Sequence, residues 1–581
     1  MARGDSEVLA KNNMDQKIKH LLKETLKNLN IEVSDFTLEH PEDLKNGDYS
    51  SNVAMVCAKN LKTNPKELAE KIKTEFEKNL PSKIEKVEVA GAGFINFYLS
   101  RQFFAESIEE ILNNKDFGNN NHFAGKKVMV EYTQPNPFKP FHIGHLMSNA
   151  IGESISRLVE FSGAETARAN YQGDVGLHIA KAIYGLLHNE KLQSRAGTHN
   201  LQSTNIGLAY MEGAGAYEEG GEAKAEIDVI NKKVYDKSDE KINEIYDWGF
   251  KVTMEAFEDL YRMLGTKFDY YFLESVVADI GKDIVRENIG KVFEESDGAV
   301  VFKAEKYNSK LHTRVFITSA GLPTYETKEL GLTEIKFREE KLDLSIVTTA
   351  IEQGEYMKVV EQAIALIDKE HADKMLHITH GMMRFASGKM GSRKGNVITG
   401  ESLLNDVRLA ILEKMQDRDF SKEETEKISS DVGVSAIKYS ILKQSMGGDI
   451  IYDFDKSISF EGDSGPYLQY SHARANSIIE KAQKENILPD FENLPDEIFE
   501  VEKMLYKFPE VVLRSVEEYE PHYIANYLIE IARAFNSFYG NMVIVNKDDP
   551  TSSYKIALTY AFSFVMKTGL YLLGIEAPKK M

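Results

Sequence analysis

Residues 132–158 read YTQPNPFKPFHIGHLMSNAIGESISRL, a proline-punctuated loop that passes at His142 into a helical pattern. Just before it stands KKVMVEYT, a short apolar run of the kind buried as a strand in a parallel sheet. Strand, loop and helix in that order form the opening unit of a nucleotide-binding α/β domain. His142 and His145 are three residues apart, so a helix that begins near them sets both imidazoles on one face beside its N-terminus. Anions favour that place, because the helix dipole and the unpaired backbone N–H groups both point at it. Gly144 leaves the backbone open to close approach by a base or ribose. A nucleoside triphosphate fits these features. A zinc pair, for which no other ligand stands nearby, and ordinary surface histidines at a helix start remain alternative readings.

Working outward, 581 residues with 42% apolar content exceed one ordinary hydrophobic core, so two to four domains are expected. A soluble protein is expected, with no membrane partner: the first residues are charged rather than an apolar signal core, and Lys567 interrupts the longest apolar run near the C-terminus. Cys57 is the only cysteine, which excludes an intrachain disulfide and a cysteine-based zinc site and suits a reducing cytoplasm. A formal charge of −20 argues against indiscriminate coating of nucleic acid, while a local basic cleft remains possible on an acidic molecule. Ile18, Leu21, Leu22, Leu26 and Leu29 recur with helical spacing, and IEKVEVAGAGFINFYLS reads as two strands about a glycine turn. Together they predict a small α+β domain over residues 1–120, with NNKDFGNNNHF as the linker that ends it. The catalytic α/β domain is expected over residues 121–400, with an insertion around 185–300 in which YMEGAGAYEEGGEAKAEI lies at the surface. Residues 401–581 read as successive amphipathic helices and form the third expected domain.

A second stretch, SGKMGSRKGNVI, gathers Lys389, Arg393 and Lys394 in a Gly/Ser-rich loop suited to clamping polyphosphate. Taken together, the two segments resemble the paired HIGH and KMSKS signatures of class I aminoacyl-tRNA synthetases. The first matches letter for letter, while the second has Gly391 and Ser392 where the family often has Ser and Lys. EYTQPNPFKPFHIGH, NYQGDVG, LPTYETKELG, SFEGDSGPYLQYSHARANSI and GLYLLGIEAPKKM, in that order along nearly the whole chain, are similar to arginyl-tRNA synthetases.

That resemblance implies a multidomain α/β fold: a Rossmann-like parallel-sheet catalytic domain, the small α+β N-terminal domain binding the tRNA elbow, and an all-helical C-terminal domain binding the anticodon. It also implies ATP-dependent activation of L-arginine and transfer to tRNA(Arg), with ATP and its Mg²⁺ and no protein metal site. His142, His145, Lys139, Lys389 and Arg393 would carry the chemistry, and Gly144, Met390 and Ser392 would join them around ATP. Glu131, Glu274, Tyr325 and Glu329 fall at positions of the side-chain pocket; Gln134, Asn136 and Gln353 fall where the amino acid's backbone groups are held. A forked, always-charged guanidinium is well matched by carboxylates and an aromatic face. Glu329 stands where the family pattern has aspartate. Phe94 and Asn96 share one face of a strand by alternation and would meet an unpaired elbow base; Tyr467, Tyr470 and His472 would serve the anticodon. The chain is taken as a cytoplasmic monomer, although no sequence feature sets the oligomeric state. The alternative is a paralogue that binds tRNA or regulates without activating arginine, with the altered second signature in its favour.

Overall fold

In the computed structural model, which describes residues 14–33, 35–386, 398–416 and 418–581, the chain separates into two compact units. One comprises residues 1–121, 474–509 and 531–565; the other comprises 122–473, 510–530 and 566–581.

The first unit contains a four-stranded antiparallel sheet of β1 (Leu38–Glu39), β2 (Tyr49–Ser51), β3 (Ile84–Ala90) and β4 (Phe94–Leu99), in the order β1-β2-β4-β3. The predicted glycine turn joins β3 to β4, with Gly91 and Gly93 both at positive φ. Ile18, Leu22 and Leu26 of the Met14–Asn28 helix are buried with Ile72, Ile95 and Phe97, so the apolar period read in the sequence becomes the core-facing stripe. The NNKDFGNNNHF stretch holds a buried Phe117, whose ring stacks 6.3 Å from Phe508.

The second unit is organised on a five-stranded parallel sheet. Its strands are β5 (Lys127–Glu131), β6 (Glu165–Gln172), β7 (Tyr270–Leu273), β11 (Leu344–Ala350) and β12 (Met375–His380), in the order β12-β11-β5-β6-β7. Sequence order runs outward in both directions from β5. The switch point therefore lies at the carboxyl end of β5, where open α/β sheets bind ligands. Val128, Met129 and Val130 are buried, as expected of a central strand covered on both faces.

Between β6 and β7 runs a group of helices, Leu177–His188, His199–Glu219, Gly221–Asp236 and Glu240–Met263. The Gly/Glu/Ala-rich segment expected at the surface lies within two of these helices, and most of its residues are exposed or half-buried. A Cβ at Gly213 would overlap the Lys181 carbonyl, so here glycine permits close helix packing instead of a turn. A second sheet, β8 (Glu294–Ser296), β9 (Ala299–Phe302) and β10 (Arg314–Ile317), follows, and β13 (Met383–Phe385) pairs in parallel with β14 (Ile450–Tyr452).

The unit with the parallel sheet runs on through residue 401 to residue 473. Lys438, on the Lys422–Leu442 helix, donates to the backbone carbonyls of Leu264 (2.6 Å) and Gly574 (2.8 Å). Ser154, on the helix that follows β5, donates to Leu572 O at 2.8 Å. Polar ties of this kind knit residues far apart in sequence into the unit that holds the parallel sheet. Among the described residues no helix is long and apolar enough to cross a membrane.

Candidate functional site

The loop after β5 is held in an uncommon backbone conformation. Thr133, Gln134 and Phe138 all have positive φ (77°, 51° and 65°), a region that a β-branched residue rarely enters and that costs on the order of 1–3 kcal/mol per residue. Tertiary contacts offset that cost. The Thr133 amide donates to Ser148 Oγ at 3.0 Å, and Asn149 Nδ2 donates to Thr133 Oγ1 at 3.0 Å, both from the Ile143–Phe161 helix; the Phe138 ring is fully buried.

That helix is capped by its own histidines. The His145 amide donates to His142 Nδ1 (3.4 Å) and the His142 amide donates to His145 Nδ1 (3.2 Å), closing a reciprocal box of the kind usually made by Ser and Glu. The rings stack with centroids 3.4 Å apart. With both Nδ1 atoms accepting, each neutral ring carries its proton on Nε2, which becomes a donor. Burial, with the Lys139 charge nearby, lowers both pKa values and keeps the rings neutral. A Cβ at Gly144 would stand 3.0 Å from the His142 ring, so this glycine first makes room for the stacked imidazole. Lys139 is depressed by burial and by Lys181; its ammonium lies 5.4 Å over the Tyr210 ring. Lys389, Met390, Ser392 and Arg393 lie outside the described residues. The segment that follows them returns to the helix start, where Thr399 bridges His142 and the Gly400 amide donates to Phe141 O at 2.8 Å.

Three carboxylates converge nearby in the fold, with Glu274 within reach of the Lys139 charge. Glu131, the last residue of β5, is buried, ion-paired with Lys336, and accepts a 2.6 Å hydrogen bond from Gln134 Nε2. Glu274, which opens the Glu274–Glu287 helix, pairs with Lys328 at 2.5 Å; burial raises its pKa while Lys328 pulls it down. Glu329 is pushed well above the ordinary carboxylate range by burial and then by the Glu131 charge, and its contact is the Tyr356 hydroxyl, donating at 3.4 Å. Tyr325, 66% exposed, stands at the start of the Tyr325–Glu339 helix with the Lys328 ammonium 5.2 Å from its ring. Asn136 Oδ1 accepts from the Gly173 amide at 3.2 Å, and a Cβ at Gly173 would press on both Asn136 and Glu274. His178 Nε2 donates to Gly173 O at 2.8 Å and fixes that turn. Asp174 is consumed by Ser275, which donates to it from both amide (2.8 Å) and hydroxyl (2.6 Å). Gln353 is exposed beyond the end of β11, in the turn before the Gly354–Ile367 helix.

The sequence reading omitted Lys328, Lys336 and Tyr356. Tyr325, Lys328, Glu329 and Lys336 share one helical stripe, a spacing that was available to be read. On the Gly465–Lys484 helix, Tyr467 and Tyr470 are half-buried. His472 departs from the expected base contact: it is 3% exposed, and its Nδ1 donates to the Pro578 carbonyl at 2.9 Å, so the ring holds the C-terminal segment. In the other unit, Phe94 is 42% exposed, whereas Asn96 is 3% exposed and its Oδ1 accepts from Ser50 Oγ at 2.7 Å.

Comparison with known proteins matches these regions in turn. Residues 107–454 match the family described as tRNA synthetases class I (R), catalytic domain; 468–581 match the DALR anticodon binding domain; 16–99 match the arginyl tRNA synthetase N terminal domain. Proteins named arginine–tRNA ligase from Halothermothrix orenii and Clostridium perfringens are 30% and 32% identical, over 97% of this chain and 99% and 100% of theirs. One from Fusobacterium nucleatum is 34% identical over 92% of this chain and 93% of its own. The solved structure of Thermus thermophilus arginyl-tRNA synthetase superposes with a TM-score of 0.78 at 22% identity, over 98% of this chain and 100% of the other. That of Plasmodium falciparum gives 0.75 at 21% identity, over 98% and 99%.

Proposed function

The chain belongs to the class I arginyl-tRNA synthetases, and from that premise we propose how its residues divide the ATP-dependent joining of L-arginine to tRNA(Arg). The arginine carboxylate attacks the ATP α-phosphate and pyrophosphate leaves. The 3′-terminal adenosine of the tRNA then takes the arginyl group from the adenylate. Neither step needs a covalent protein nucleophile, so catalysis rests on positioning and on stabilising charge at phosphorus.

The Nε2–H groups of His142 and His145 donate to phosphate and ribose oxygens beside the helix N-terminus, and the Lys139 ammonium offsets the charge of the leaving pyrophosphate. Lys389, Met390, Ser392 and Arg393 assist from the loop that returns to His142 at Thr399; that return supports placing them at ATP. Mg²⁺ on the polyphosphate supplies further charge neutralisation. It would come with ATP, on the polyphosphate beside His142, His145 and Lys139.

Glu329 meets the guanidinium; Glu131 and Glu274 accept from it with their remaining lone pairs, and Tyr325 forms the aromatic wall. Asn136, Gln134 and Gln353 hold the α-amino and carboxylate groups. Phe94 receives the tRNA elbow, and Tyr467 and Tyr470 lie in the anticodon-binding part. The enzyme works as a cytoplasmic monomer. The observation that carries this reading is Glu329, which among the described residues has no ion pair of its own in a pocket whose other two carboxylates each have one. Arginine-dependent exchange of pyrophosphate into ATP, measured with tRNA(Arg) present, tests it. Exchange is expected with arginine and not with citrulline, which has the shape without the charge; equal exchange with both would refute the pocket assignment.

A further inference from the structure

The Tyr325–Glu339 helix presents Tyr325, Lys328, Glu329 and Lys336 along one stripe. Lys328 and Lys336 are each about as buried as an aliphatic core residue, at 5% and 4% exposed, and each meets a carboxylate from a different element. Lys336 pairs with Glu131 at the end of β5, and Lys328 with Glu274 at the start of the Glu274–Glu287 helix. Glu329 sits between the two lysines in sequence and receives the Tyr356 hydroxyl from the Gly354–Ile367 helix. Tyr171, on β6, also faces all three carboxylates; Glu274 further faces Asp174, Lys139, Tyr235 and Tyr325, and Glu329 feels the Lys336 charge. Glu131 and Glu274 thus each have an ammonium in contact, whereas the contact of Glu329 is a neutral hydroxyl.

A buried ion pair is costly to separate, so an incoming cation does not displace either lysine. We propose that Lys328 and Lys336 are specificity-determining positioning residues. They neutralise Glu274 and Glu131 in place, so that the side chain of the incoming amino acid finds one carboxyl left to ion-pair with it, Glu329, bordered by fixed acceptor lone pairs. This rests on the assignment of the pocket to arginine. A guanidinium carries one charge spread over five N–H donors and can satisfy Glu329 and the bordering acceptors together. A lysine ammonium concentrates the same charge and three donors on one atom, so when it reaches Glu329 it leaves the other acceptors unfilled. Deleting a resident lysine adds a second uncompensated carboxylate, which deepens the site for any compact cation and erodes the preference for the fork.

The test uses the full chain, ATP, tRNA(Arg) and pyrophosphate exchange with arginine and with lysine. Lys336→Met is expected to lower the arginine-over-lysine ratio of kcat/KM by about tenfold, the scale of one altered charge contact. The KM for ATP should stay near wild type, and the pH profile of the arginine KM should move to higher pH, because Glu329 loses the Lys336 charge that pulls its pKa down and faces an unpaired Glu131. Lys336→Arg should restore both ratio and profile. A folded Lys336→Met enzyme with unchanged ratio and profile overturns the proposal, and so does a fall in kcat with the ratio kept, which marks a merely structural pair. Where Lys336→Met does not fold, Lys328→Met carries the same expectation for Glu274. Glu329→Gln separates the two levels. An unchanged arginine KM in that variant removes the pocket assignment, whereas a raised KM together with an unchanged ratio in Lys336→Met removes this proposal alone.

Discussion

The two ends of the site solve opposite electrostatic problems with different materials. At the start of the Ile143–Phe161 helix, where polyphosphate is to be bound, the chain offers two neutral imidazoles, backbone N–H groups and a lysine whose pKa is lowered by burial. At the carboxylate end, where a permanent cation is to be bound, it offers three carboxyl groups, two of them already ion-paired with Lys328 and Lys336. ATP brings several negative charges and its own metal ion, so donors that need no counter-ion of their own serve it well. Arginine brings a single positive charge, and a pocket with three bare carboxylates would repel itself in the absence of substrate. The contrast teaches that the net charge left vacant at each end is matched to the ligand.

The comparison breaks most visibly at Glu329. Glu329→Gln puts a neutral amide where a buried cation expects its counter-charge, and kcat/KM for arginine should fall by about 10³-fold, or ~4 kcal/mol. The KM for ATP should hardly move. Retention of wild-type arginine kinetics would show that Glu131 or Glu274 selects the guanidinium in spite of its lysine.

At the phosphate end the expected loss is smaller, because the load is shared. Lys139→Ala should slow arginine activation by about 10²-fold, the scale for removal of one charge-stabilising donor. If turnover is undiminished, His142, His145 and the second-signature loop carry the phosphates without it.

The third prediction uses pH. With its pKa raised by burial and by Glu131, Glu329 holds a proton above the ordinary carboxylate range, and a protonated carboxyl offers a guanidinium no charge. Arginine binding therefore releases that proton, and the arginine KM should fall about tenfold per pH unit until the raised pKa is passed. Stability of the unliganded enzyme runs the other way. The folded pKa lies above the unfolded one, so this group's contribution is complete at low pH and lost as pH rises through the raised value. The Tm increase produced by saturating arginine should therefore grow with pH across that window. It should be flat in Glu329→Gln, and a flat wild-type response would place the proton elsewhere.

Much of this arrangement could be read in the chain before its fold was known. VMV ahead of a proline loop and a His-X-X-His helix start identified β5, the switch point and the anion-binding end, because strand burial and helix dipoles are local properties. The cap itself was missed, since imidazoles rarely take the place of Ser and Glu. The lysine partners of Glu131 and Glu274 were missed for another reason: Lys336 and Glu131 lie on elements brought together only when β11 inserts beside β5. His472 looked available on a helix, but its acceptor is the main-chain carbonyl of Pro578, which no side-chain pattern reveals. The helices of the glycine-rich insertion were not read, because glycine permits both turns and close helix packing, and composition does not distinguish them.

The smallest expected effect lies in the other unit and also sharpens the contrast between a displayed contact and a satisfied one. Alternation along β4 puts Ile95, Phe97 and Leu99 in the core and turns Phe94 and Asn96 to the opposite face. The two then part company. Asn96 lies directly across from Ser50 on β2, is almost completely covered, and spends its carbonyl oxygen on the Ser50 hydroxyl. Phe94 follows the Gly91–Gly93 turn and keeps its ring in solvent, where an unpaired elbow base can stack on it. Phe94→Ala should raise the KM for tRNA about fivefold, near the low end of the roughly 1–3 kcal/mol that one stacked base is worth, with the KM values for arginine and ATP unchanged. Asn96→Ala should act through stability instead, because it leaves the part-buried Ser50 hydroxyl without its acceptor at a cost of about 1–3 kcal/mol. Its signature is a lowered Tm, with tRNA kinetics close to wild type below the transition. A tRNA KM that rises in Asn96→Ala and stays put in Phe94→Ala would reverse the assignment, making the covered amide the reader and the exposed ring a bystander.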